Sequence, residues 1–126
     1  MLDSSCFSLR GPLGGQLVAA SVMMTRAFHT GSGEDVVLRI FAPREEHGDW
    51  FTRWTITGLT SGDVDMISGG VDAVQSVVFA LAAAGDRLAG EDDSLMFIGG
   101  KGPQLPRTDL DAPSGQWVAS IAIPTV

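Results

Sequence analysis

The sequence predicts an α+β fold: a curved antiparallel sheet of about five to six strands, with one main helix at about residues 72–89 packed on one face. Three observations predict it. Residues 36–41 and 50–57 are rich in β-branched and aromatic side chains and alternate with a period of two. Residues 74–88 instead repeat their apolar positions at helical spacing, between an aspartate cap and a glycine stop. The turns between the strand segments are short, which suits an antiparallel meander.

The opening residues carry the least pattern. Ser4, Ser5, Gly11, Pro12, Gly14 and Gly15 give residues 1–22 the composition of a flexible extension. The alternative is a first edge strand within 17–28. The apolar run 17–24 is too short to span a bilayer. One Arg and one Asp before it make a poor signal-peptide start. Residues 23–126 are expected to form a single domain.

In the segment 36–41, Val36, Leu38 and Ile40 point one way, and Val37, Arg39 and Phe41 the other. Pro43 ends this strand, and residues 45–49 read as a polar turn. In 50–57, Trp50, Thr52, Trp54 and Ile56 share a face, with Phe51, Arg53, Thr55 and Thr57 opposite. Residues 58–62 are a turn and 63–67 a short third strand, which Gly69-Gly70 then breaks. Asp72 is an N-cap, with Gln75 three residues on forming a capping-box-like pair. Val74, Val77, Val78, Leu81, Ala82, Gly85 and Leu88 make the packing face, and Gly90 stops the helix. Glu91, Asp92 and Asp93 form a solvated turn, and 95–98 a short buried strand. Residues 99–115, with three prolines, form a long loop, and alternation over 117–123 marks a final strand.

Composition narrows the function classes. The chain has 126 residues, 15 Asp+Glu against 8 Lys+Arg, and a formal net charge of −7. It has no run of Lys or Arg, which argues against direct nucleic-acid binding. A hydrophobic content of 44% argues for a folded core rather than disorder. Cys6 is the only cysteine, so no intrachain disulfide is possible and a reducing, cytoplasmic setting is expected.

Three segments taken together carry a resemblance. They are Phe41-Ala42-Pro43 with Gly48-Asp49-Trp50, then Gly70-Val71-Asp72-Ala73-Val74-Gln75, then Phe97-Ile98-Gly99-Gly100. Over about residues 24–107 the chain resembles a family of small uncharacterised bacterial domains, catalogued as a domain of unknown function. The resemblance implies a proline-ended strand, an aromatic strand, a helix and a Gly-Gly strand in that order. It implies no catalytic residue.

Several constellations invite chemistry and meet a plainer reading. Gly99-Gly100-Lys101-Gly102 suggests a phosphate loop, but a Walker loop needs glycine where Leu95 stands and Ser or Thr where Gly102 stands. His47 among Glu45, Glu46 and Asp49 suggests a metal or base site, which would need His29 from a neighbouring strand. Asp63 and Asp65, two apart on a strand, would place both carboxylates on one side, the spacing of a Mg²⁺ pair or of a solvated edge. Asp109 and Asp111 repeat that spacing in a loop. Trp50 and Trp54 are expected beneath the helix.

These considerations give the expected function. No catalytic set, metal site or cofactor is expected, since no nucleophile, base and oxyanion donors converge. The chain is read as a non-enzymatic, acidic protein-binding module, of the immunity or phage-inhibitor type, with a basic protein as partner. The expected partner-binding residues are Phe41, Phe51 and Arg53 on the uncovered sheet face, with Glu91, Asp92 and Asp93 supplying charge. The alternative is a small metal-dependent hydrolase or a ligand-binding homodimer. No membrane association is expected.

Overall fold

Alternating side chains set the sheet, and one register runs through most of it. The computed structural model describes residues 21–31, 33–91 and 95–125. Strand β1 (Val22–His29) pairs antiparallel with β2 (Asp35–Phe41), and β2 with β4 (Asp49–Thr57). β3 (Arg44–Glu46) continues β2 along the same neighbour, and β5 (Val64–Gly70) lies on the far side of β4. Helix α1 (Ala73–Ala89) follows. β6 (Met96–Phe97) then pairs with β1, and β7 (Gly100–Lys101) with β6. Laterally the order is β5-β4-β2-β1-β6-β7. A separate ribbon joins β8 (Arg107–Thr108) to β9 (Ala119–Ser120).

Pro43 shapes the break between β2 and β3. Ile40 pairs with Trp54, but Arg44 pairs with Phe51, a one-residue slip across Ala42-Pro43. Proline has no N–H to give the ladder, and the Ala42 N–H turns to the Ser21 carbonyl at 2.8 Å. The segment expected as a turn, 45–49, is therefore mostly strand. The reversal narrows to His47 (φ 55°) and Gly48 (φ 89°), two left-handed residues that match the twist of a tight hairpin.

Directly opposed residues share a face, so the register fixes the core. Phe28, Val36, Leu38, Ile40, Trp54 and Ile56 all project to the helix side and are buried. Trp54 is only 3% exposed, and its indole N–H donates to Ser68 Oγ at 3.1 Å. Trp50 is half-buried on the same face. Residues 1–20 lie outside the described residues, so the flexible-extension expectation falls there untouched. β1 pairs with β2 along its length and meets β6 only at His29, which faces Met96.

The helix begins as its cap predicts. Asp72 Oδ1 accepts the Gln75 N–H at 2.8 Å, and Gln75 Oε1 accepts the Val71 N–H at 2.9 Å. Its rotation differs from the expectation. Val74 is 70% exposed and Val78 is exposed too, while Ser76, Ala80 and Ala84 are buried. The reason is steric: a Cβ on Gly70 would stand 2.5 Å from Ser76 N, so strand and helix touch at backbone distance. Only small residues fit so close an approach, and valines do not. Gly70 thus belongs to β5, which runs through Gly69-Gly70 instead of stopping before them. Gly90 does cap the helix, but with an ordinary φ of −84°.

The C-terminal segment departs most from the alternation. Leu95 is buried, but Ile98 is 83% exposed in the β6–β7 turn. The expected strand at 117–123 shrinks to Ala119–Ser120 and pairs with β8, not with the main sheet. This stretch wraps the outer side of α1. Phe79 and Trp117 meet edge to face at 4.8 Å, and a Cβ on Gly85 would come within 2.1 Å of the Pro106 carbonyl oxygen.

Candidate functional site

The face of the sheet away from α1 carries Val37, Arg39, Phe41, Phe51, Arg53 and Asp65, as strand alternation demands. The described helix and the β8–β9 ribbon lie on the other side. Phe41, Phe51 and Arg53 are half-buried. Arg53 links the neighbouring strands. Arg53 Nε and Nη2 donate to Asp65 Oδ1 and Oδ2 at 2.8 and 2.7 Å, a two-pronged pair between adjacent strands. The Arg53 guanidinium carbon sits 4.6 Å from the centre of the Phe41 ring. Phe51 lies across Gly69, where a Cβ would meet its ring at 3.3 Å. Arg39 donates to Thr57 Oγ1 at 3.2 Å.

A guanidinium keeps its proton in water, and its carboxylate partner is already occupied by it. Side chains of Arg53 and Asp65 remain 31% and 29% exposed. Their fork fixes the plane of the guanidinium, so little side-chain freedom is left to lose on contact with another molecule.

Of the acids expected to supply charge, Glu91 is differently placed. The Glu91 side chain is only 8% exposed and is bound by Arg87, while Ser61 donates to both its oxygens at 3.2 and 3.1 Å. The Arg87 hydrogen bond holds its carboxyl below the usual glutamate range. Glu91 is thus a brace between the helix end and the β4–β5 turn, a correction to its reading as a solvated acid. Asp92 and Asp93 lie outside the described residues.

The other constellations come apart. Asp63 precedes β5 and accepts the Gly58 N–H at 3.3 Å, whereas Asp65 serves Arg53. His29 pairs with Asp35 at 3.0 Å at one end of the β1–β2 hairpin, and His47 turns the β3–β4 hairpin at the other end of the sheet. Asp109 Oδ1 accepts the Asp111 N–H at 2.9 Å, a local turn. Among the described residues no three His, Cys, Asp or Glu stand close enough to hold a metal ion. Among them, too, no helix is long and apolar enough to cross a membrane.

Asp65 is the member of the cluster that sequence spacing assigned elsewhere. The available signal was cross-strand: opposite charges on neighbouring strands, visible only once the register is known. A family model described as a domain of unknown function (DUF6968) matches residues 24–107. No curated protein and no solved structure matches the chain.

Proposed function

The chain belongs to the DUF6968 family, and from that premise we propose that it is a non-enzymatic protein-binding module whose helix-free sheet face docks a basic protein. The observation that carries this reading is the Phe41–Arg53–Asp65 cluster beside Phe51: a cation locked by a fork and stacked on a ring, on a face the helix leaves open. Aromatic residues and arginine dominate the energetics of protein interfaces when their geometry is set beforehand. The net charge of −7 supplies steering toward a basic partner. An inhibitor or immunity protein would use such a surface to cover a basic active site. The test is affinity capture from the native host at two salt concentrations. One stoichiometric basic protein, captured less well at high salt, supports the proposal. Recovery of the chain alone contradicts it.

A further inference from the structure

Among the described residues, most of the cations are occupied, and two in one place are not. Arg26 donates to the Pro103 and Gln104 carbonyls at 3.1 and 2.8 Å, and lies 4.1 Å over the Phe97 ring. Arg39 binds Thr57, Arg53 binds Asp65, and Arg87 binds Glu91 and Ser61. Arg44 is engaged as well. Among the described Lys and Arg residues, Lys101 and Arg107 are the two whose side chains make no hydrogen bond or ion pair, and both are exposed. They also border the same two adjoining cavities, of about 550 and 330 Å³.

We propose that Lys101 and Arg107 hold the charged end of a small organic anion, a carboxylate or a phosphate carrying an apolar body, seated between β7 and the β8–β9 ribbon. The larger cavity lies within the size range of small-molecule sites. Leu105, Leu110 and Ala122 give it apolar wall, and Ser120 adds a hydroxyl. Asp109 lines only this cavity. A carboxylate there repels the ligand's charged end and directs it to the junction where the two cations stand.

The segment between the cations is fixed from within. Gln104 has a left-handed φ of 53°, a conformation that a non-glycine residue keeps only where its surroundings determine it. Here Arg26 grips its carbonyl, and its own amide donates to the Phe97 carbonyl at 3.2 Å. Leu95 accepts the Gly102 N–H at 2.9 Å. Lys101 and Arg107 therefore project from a braced loop, so an anion that bridges them has little backbone left to order. This site is separate from the open sheet face and stands or falls without it.

The experiment is a titration of the full chain with inorganic phosphate, phenyl phosphate and phenylacetate, followed by amide NMR shifts. The expected result is saturable shifts at residues 100–108 with phenyl phosphate or phenylacetate, the stronger of the two naming the head group. Lys101→Gln and Arg107→Gln, both at exposed positions, should keep the wild-type spectrum elsewhere and bind roughly tenfold or more weakly. No saturable shift with any probe, or unchanged affinity in both variants, would overturn the assignment.

Discussion

Thr52 on β4 and Ser76 on α1 share a fully buried hydrogen bond of 2.7 Å at the helix–sheet interface. Ser76 has a single hydroxyl hydrogen, and it goes to the Ala73 carbonyl at 2.9 Å. Thr52 is then the donor to Ser76. A buried hydroxyl left without its partner costs about 1–3 kcal/mol, more than the net gain of the bond itself. Ser76→Ala should therefore destabilise by about that amount. In the Ser76→Ala background, Thr52→Val should cost far less than in the wild type. Urea unfolding of the two single variants and the double variant measures this coupling.

Gly85→Ala sets two effects against each other. Helix propensity favours alanine by about 1 kcal/mol. The new Cβ, however, would stand 2.1 Å from the Pro106 carbonyl oxygen, a backbone atom that no side-chain rotation can move aside. Overpacking of this kind costs about 1–3 kcal/mol, so a net loss of stability is expected. A raised melting temperature would show that residues 105–106 do not rest on the helix.

The rotation of α1 makes a paired prediction. Val74→Ser, at a 70% exposed position, should change stability by no more than about 0.5 kcal/mol. Ala80→Leu, beneath the helix where its residue is fully buried, should cost about 1–3 kcal/mol. The reverse order in thermal melts would restore the valine face as the interior.

That rotation also shows where the sequence was legible. Alternation in residues 36–41 and 50–57 placed Leu38, Ile40, Trp54 and Ile56 on the helix side, because a two-residue period depends on local backbone geometry alone. Asp72 and Gln75 placed the helix start for the same reason. Ranking helix positions by hydrophobicity failed at Val74 and Val78, because the inner face was chosen by the distance to β5. At Gly70 that distance is set against the Ser76 backbone, and the small residues Ser76, Ala80 and Ala84 are buried while Val74 and Val78 are not. The Phe41–Phe51–Arg53 face was legible as a face, while its lock, Asp65, depended on a register set by seven successive pairs between β4 and β5. In 117–123 the alternation was real, but it met no strand of the main sheet to pair with.

Glu91 links stability to acid pH. Its folded-state pKa lies below the ordinary glutamate value because Arg87 binds the ionised form. A lowered folded pKa gives stability that is present above the unfolded value of about 4.3 and is lost as pH falls through the folded one. Glu91→Gln should therefore be less stable than wild type near neutral pH, and the gap should narrow as pH falls below the unfolded value of about 4.3. A constant gap across that window would remove ionisation from the role of Glu91.

The open sheet face as a binding surface is tested most directly by the affinity of the captured partner for three folded variants. Phe51→Ala and Arg53→Ala should each weaken binding by more than about 2 kcal/mol, as anchors at the centre of an interface do. Val74→Ser, on the helix side, should leave it unchanged. Loss of binding in Val74→Ser with Phe51→Ala and Arg53→Ala intact would place the partner on the helix face and contradict the account.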